Sequence, residues 1–274
     1  MSMPSEFARL PTGSHRKPCP YCQKGRGDKA LSVKVDSDGA VWNCFRCGWS
    51  GRLKRGASHT PVHALSPIAQ VTQIHTTLSP YWRDLWESCS PIAGEARAYL
   101  EARHCVVPPV DGDLRWHPKL RHPSKYVGPA LVGLITDALT KEPISLHRTW
   151  VRPDGKKASV NPSRLLSKGH RKAGGVIRLW PDEAVAFGLA VAEGIETSLC
   201  AAHGFAPIWS VIDAGNMEVF PTLAGINALT IFADNDAAGM RGASACAERW
   251  STVAEVTVVR SETPGADIAD EVAA

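Results

Sequence analysis

The alternation of apolar and polar positions changes character along the chain. Residues 1–55 hold short alternating stretches, Leu31-Ser-Val-Lys-Val35 and Val41-Trp-Asn43, with the period of two of half-buried strands. Residues 56–80 are rich in Ser, Thr, Pro and Ala without a sustained period and read as a linker. Two short helices are predicted next. One lies near Pro80–Ser88. The other covers Ala93–Arg103, where Ala96, Tyr99 and Leu100 share a face. Strands follow at Leu131–Thr136, Ile144–Val151 and Val176–Leu179, and Asp154-Gly155 marks a hairpin turn. From about residue 187 apolar runs alternate with helical stretches: Leu189–Ala192, a helix to His203, Ile208–Ile212, Leu229–Phe232, a helix over Ala237–Trp250, then Val256–Val259. That rhythm predicts a parallel sheet buried on both faces, with its ligands at the carboxyl ends of the strands.

The fold class is therefore α/β: a parallel-sheet domain over 181–274, preceded by a strand-rich subdomain over 81–180, a linker over 56–80 and a small N-terminal module over 1–55. No apolar run reaches the ~20 residues of a membrane span, and Met1 to Arg16 lack a signal-peptide core. A cytoplasmic, reduced setting is expected, so the eight cysteines call for something other than disulfides.

Charge sharpens the division. Residues 1–60 carry eleven Lys/Arg against four Asp/Glu, residues 110–180 fourteen against five, and residues 181–274 three against fourteen. Two basic modules suit a polyanion, and one acidic module suits cations.

Cys19-Pro-Tyr-Cys22 and Cys44-Phe-Arg-Cys47 are two tight thiol pairs. Four thiolates so spaced predict a tetrahedral structural Zn2+ site, a zinc ribbon. Trp42, Phe45 and Trp49 surround the second pair beside Arg46, Arg52, Lys54 and Arg55. Aromatics among cations suit stacking on bases, so Trp42, Arg46 and Trp49 are candidate nucleic-acid contacts; packing into a mini-core is the competing use of the same rings.

In the acidic module, Glu193 ends one apolar strand, and Asp234 and Asp236 flank one residue at the end of another. Three carboxylates gathered there repel one another unless a hard cation intervenes, which fits Mg2+ or Mn2+. Metal-assisted phosphoryl transfer is the expected chemistry. In the middle module Arg148, Lys157, Lys168, Arg171 and Lys172, with Arg164 and the pair Gly174-Gly175, form a dense basic run, a candidate floor for nucleotide phosphates.

Ala192-Glu193-Gly194-Ile-Glu196 and Phe232-Ala-Asp234-Asn-Asp236-Ala-Ala-Gly239 resemble the two signature motifs of Toprim domains. A four-cysteine ribbon, a basic module and Toprim resemble the order in DnaG-type and phage- or plasmid-type DNA primases. The resemblance implies a catalytic Glu193, metal held by Asp234 and Asp236 with Glu193, and a further ligand, Asp267, in Pro264-Gly-Ala-Asp267-Ile-Ala-Asp270-Glu271. Thr197 stands where such primases carry another Asp, with Glu196 one residue before it. The partners implied are single-stranded DNA template, ribonucleoside triphosphates and a separate helicase, since the chain has no Gly-x-x-x-x-Gly-Lys-Ser/Thr loop. Replication of a phage, plasmid or mobile element is the expected setting. The alternatives are a non-enzymatic zinc/Toprim recombination mediator and a Toprim nuclease.

Overall fold

The computed structural model describes residues 7, 10–20, 29–44, 49–54, 74–265 and 268–269. The chain divides into two compact units, 1–68 and 69–274.

The first unit holds an antiparallel meander of β1 (Gly13–Lys17), β2 (Leu31–Asp36), β3 (Gly39–Cys44) and β4 (Ser50–Lys54). The alternation in β2 buries Leu31, Val33 and Val35. These pack with Phe7, Ala40 and Trp42, and with the half-buried Trp49.

In the second unit, β5 (Leu114–Arg121), β6 (Val127–Asp137), β7 (Pro143–Trp150) and β8 (Arg164–Leu166) form an antiparallel sheet, with β9 (Gly175–Val176) pairing β6. Period two splits this sheet cleanly. Ala130, Val132, Leu134, Leu146 and Trp150 face α1 (Pro80–Glu87), which contributes Trp82, Leu85 and Trp86. Leu131, Ile135 and Val151 face the other way. There they meet Ala96, Tyr99 and Leu100 of α2 (Gly94–Ala102), and Ile195 and Leu199 of α3 (Ile195–Ala201).

The second sheet is parallel, in the order β11-β10-β12-β13, made of β10 (Gly188–Ala192), β11 (Ile208–Ser210), β12 (Ala228–Ala233) and β13 (Glu255–Arg260). Helices α4 (Ala214–Val219) and α5 (Ala237–Trp250) complete the module.

Three expectations change. The strand expected over Val176–Leu179 stops at Val176; beyond it Ile177 exchanges both backbone hydrogen bonds with Ser210, which joins the two sheets at the edge of β11. Burial on both faces holds for β10 to β12, whereas β13 is an edge strand with Val258 exposed. Strand β5 was hidden from a pattern reading because Pro118 and a register shift between His117 and Leu120 interrupt its alternation. The expected linker lies outside the described residues up to residue 73.

Candidate active site

Strand order decides where the carboxylates meet. In the order β11-β10-β12-β13 the first strand of the module, β10, lies between the second and the third, so connections leave it in opposite directions on its two sides. The crevice between β10 and β12 at their carboxyl ends is the switch point of such a sheet. Glu193 follows β10 directly and Asp234 follows β12 directly, with Ala192 in register with Phe232.

The strand does not continue to Asp236. The Asp236 N–H donates to the Asp234 carbonyl at 2.8 Å, a tight turn, and Asp236 becomes the N-cap of α5. Its Oδ1 accepts from the Ala238 and Gly239 N–H groups, both at 2.8 Å. That leaves Oδ2 for a cation. Gly239 is required by close approach: a Cβ there would lie 2.4 Å from the Asp234 carbonyl oxygen and 2.9 Å from Glu193 Oε1. The first turn of α5 thus brings the two motifs together.

Electrostatics agree with the geometry. Glu193 is pushed up to about 7 by burial, then by the charges of Asp234 and Asp236, against a backbone hydrogen bond from Ala214. Its Oε1 is buried and accepts no hydrogen bond. Carboxylate oxygens are the donors a hard divalent cation such as Mg2+ or Mn2+ takes, but among the described residues no three such side chains stand in an arrangement that could already hold one. Asp267 lies outside the described residues. The loop before it is held by Asn235, whose carbonyl accepts from the Gly265 N–H at 2.8 Å and whose Nδ2 donates to the Ser261 carbonyl at 3.0 Å.

Glu196 does not join this group. It is 5 % exposed, accepts from the Tyr99 hydroxyl at 2.8 Å and faces Lys157 Nζ at 3.4 Å and Arg164 Nη2 at 3.6 Å. Its carboxyl is held at about 2, with burial opposing and Arg164, Lys157 and Tyr99 prevailing. Thr197 is buried.

The basic run expected to form one floor is dispersed. Lys157 is engaged by Glu196 on the α3 side of the antiparallel sheet. Arg171 is tied to Asp137 at 2.7 Å and to the Ala173 carbonyl at 2.9 Å, a latch within its own module. Lys172 pairs with Asp213, the N-cap of α4, at the carboxyl end of β11. Arg148 and Lys168 line a cleft beside α1, on the opposite face from α3. Alternation explains the split, because His147 and Arg148 on β7 must face opposite ways. Ala214, whose backbone N–H reaches Glu193, carries no signal in the sequence, since a lone Asp-Ala-Gly after a strand is not distinctive.

In the first unit Trp42, a candidate nucleic-acid contact, packs into the core. It is 8 % exposed, with ring centroids 5.3 Å from Phe7 and 5.6 Å from Trp49. A segment this small needs its few large rings to build a core. Cys19 and Cys44 are buried. The register sets Lys17 opposite Leu31 and Leu31 opposite Cys44, so both cysteines lie at one end of the sheet. Cys22, Cys47 and Arg46 lie outside the described residues.

Residues 77–179 match a family described as a domain of unknown function, DUF7146, and residues 188–274 match the Toprim domain family. No curated protein sequence matches the chain. The fold is similar to a DNA primase domain from Pseudomonas aeruginosa (TM-score 0.46, 13% identity, 70% of this chain and 73% of that one). It is also similar to the zinc-binding and RNA polymerase domains of the Aquifex aeolicus primase (TM-score 0.44, 15% identity, 98% and 78%). A third likeness is to the primase fragment of the bacteriophage T7 primase-helicase protein (TM-score 0.33, 16% identity, 93% and 92%).

Proposed function

We propose that this protein, whose residues 188–274 form a Toprim domain, is a DNA primase that makes short RNA primers on single-stranded DNA. The observation that carries the proposal is the convergence of Glu193, Asp234 and Asp236 at the switch point of the parallel sheet, with a buried Glu193 oxygen awaiting a partner.

In this reading Asp234 and the free oxygen of Asp236 hold Mg2+ or Mn2+, with Glu193 and Asp267 beside them. The bound cation supplies charge neutralisation for the leaving pyrophosphate. The 3′-oxygen of the growing strand forms the new bond to the α-phosphorus of a ribonucleoside triphosphate. The bond to pyrophosphate breaks, and the 3′-hydroxyl proton passes to the Glu193 carboxylate. The α5 N-cap keeps Asp236 in one rotamer, and Gly239 lets Glu193 sit against the turn. Cys19, Cys22, Cys44 and Cys47 hold a structural Zn2+ that staples the first unit. The segregated positive charge of 1–60 and 110–180 supports a polyanionic template and triphosphate substrates. Replication of a phage, plasmid or mobile element, with a helicase on a separate chain, is the setting proposed.

The test is synthesis of labelled RNA on mixed-sequence single-stranded DNA with Mg2+ or Mn2+, comparing the natural protein with Asp234→Asn/Asp236→Asn. Asparagine keeps the helix cap while removing the charge. Short products lost in the variant are expected. Strand cleavage in place of synthesis would assign a nuclease. Neither activity, with DNA still bound, would favour a recombination mediator.

A further inference from the structure

The face of the antiparallel sheet turned away from α3 carries a cleft of about 360 Å³, lined by Tyr81 and Trp82 of α1, Arg121 at the end of β5, His122, Arg148 of β7 and Lys168. Its chemistry is unusual for a surface hollow. Arg148 is only 6 % exposed. Its Nη2 donates to the Leu166 carbonyl at 2.9 Å, and its guanidinium lies over Trp82 at 4.4 Å and Trp150 at 5.6 Å. Its Nε has no acceptor. Among the described residues no carboxylate pairs with it. A buried guanidinium without a counter-charge is costly, so its retention beside a cleft points to a ligand that carries hydrogen-bond acceptors.

The other walls specify that ligand. Tyr81 is 70 % exposed and meets Trp82 edge-on at 4.9 Å, so the Tyr81 ring stands at the mouth with its face open to a planar ligand. Arg121 and Lys168 are exposed, come from different elements, and flank the cleft as two separate cations. No acidic side chain lines the hollow among the described residues. His122 is buried and held by Ser124 and the Pro162 carbonyl, so it shapes the wall and is not free to bind. Aromatic rings beside spaced cations, with an acceptor-seeking guanidinium at the floor, match a base with its phosphodiester.

We propose that this cleft binds one nucleotide unit of single-stranded DNA, with the base against Tyr81 and Trp82, an acceptor atom of the base directed to Arg148, and the flanking phosphates at Arg121 and Lys168. The site lies on the opposite face of the antiparallel sheet from the module that bears Glu193, so it is an anchor for strand outside the reacting centre. It rests on the reading that the chain handles single-stranded DNA, but not on primer synthesis.

The test uses the full chain and a 12-nucleotide DNA carrying 5-iododeoxyuridine, with photo-crosslinked peptides mapped. A crosslink on Tyr81 or Trp82 is expected. Tyr81→Ala, at an exposed position, should weaken binding about tenfold in fluorescence anisotropy, the loss expected for one stacked base. Arg121→Ala/Lys168→Ala should make the salt dependence shallower by about one to two in slope. Crosslinks confined to residues 1–68 or to the Glu193 region, with the variants binding normally, would overturn the proposal. So would equal competition by a free nucleoside monophosphate, which would assign the cleft to a mononucleotide. Primer synthesis measured in parallel separates the two readings: synthesis without the crosslink removes the anchor alone, and the crosslink without synthesis removes the primase alone.

Discussion

Single residues at the carboxylate site do two jobs, and substitutions separate them. Asp236 caps α5 through Oδ1 and offers Oδ2 to a cation. Asp236→Ala should lose about 1 kcal/mol of stability with the cap, whereas Asp236→Asn should keep most of it and still lose divalent-cation binding. Thermal melts with a Mn2+ titration distinguish the two; equal melting of both variants would remove the capping role. Gly239 faces backbone on one side and Glu193 on the other. Gly239→Ala should cost about 1–3 kcal/mol, because a methyl group 2.4 Å from a carbonyl oxygen forces the turn to move. Urea denaturation gives the stability change, and primer synthesis should fall more steeply than the stability loss accounts for.

At the scale of elements, a buried polar network fastens α3 to the antiparallel module. Glu196 on α3 meets Tyr99 on α2, Arg164 on β8 and Lys157 in the hairpin that turns at Gly155, whose φ of 75° suits only glycine without strain. The Glu196 carboxyl falls from its usual value of 4.5 to about 2 on folding. A group depressed in the folded state contributes stability above its unfolded pKa, and that stability is lost as pH falls from about 4.5 towards 2. Burial lowers the Lys157 pKa in spite of Glu196, so part of the gain is cancelled at the partner. A net of about 2 kcal/mol is expected above the transition. His147, half-buried among the same groups, is lowered from 6.5 to about 4, chiefly by desolvation. It must charge on unfolding, so stability also declines between about pH 6.5 and 4. Urea midpoints measured from pH 7 to 3 should fall throughout, and Glu196→Gln should flatten the limb below pH 4.5; an unchanged lower limb would show that the network contributes nothing to acid sensitivity.

The whole molecule has separate cores in its two units, one built on Phe7, Leu31 and Trp42, the others on the two larger sheets. Removal of the proposed zinc should therefore act locally. Chelation, or Cys22→Ser, is expected to expose the amides of residues 31–44 to hydrogen exchange while those of β10 and β12 stay protected. Exchange rising equally in both units would show that they unfold as one. No helix among the described residues is long and apolar enough to cross a membrane.

Much of the protein was legible in the sequence because period and punctuation are local properties. The strand–helix alternation after residue 187 specified the parallel module, and its helix over Ala237–Trp250 appears with the expected bounds. The alternation of β6 and β7 specified two strands, and Glu193 and Asp234 stood out at strand ends. What only tertiary structure decided is which groups meet. Strand order set Glu193 beside the Asp234 turn, and burial turned Trp42 inward. Antiparallel pairing divided Arg148 from Lys157 across a sheet, and an ion pair withdrew Glu196 from the acidic site. Charge along a chain is a sum over neighbours in sequence, whereas a site is made by neighbours in space; a sheet sends consecutive residues to opposite faces, so a run of cations becomes several unrelated contacts.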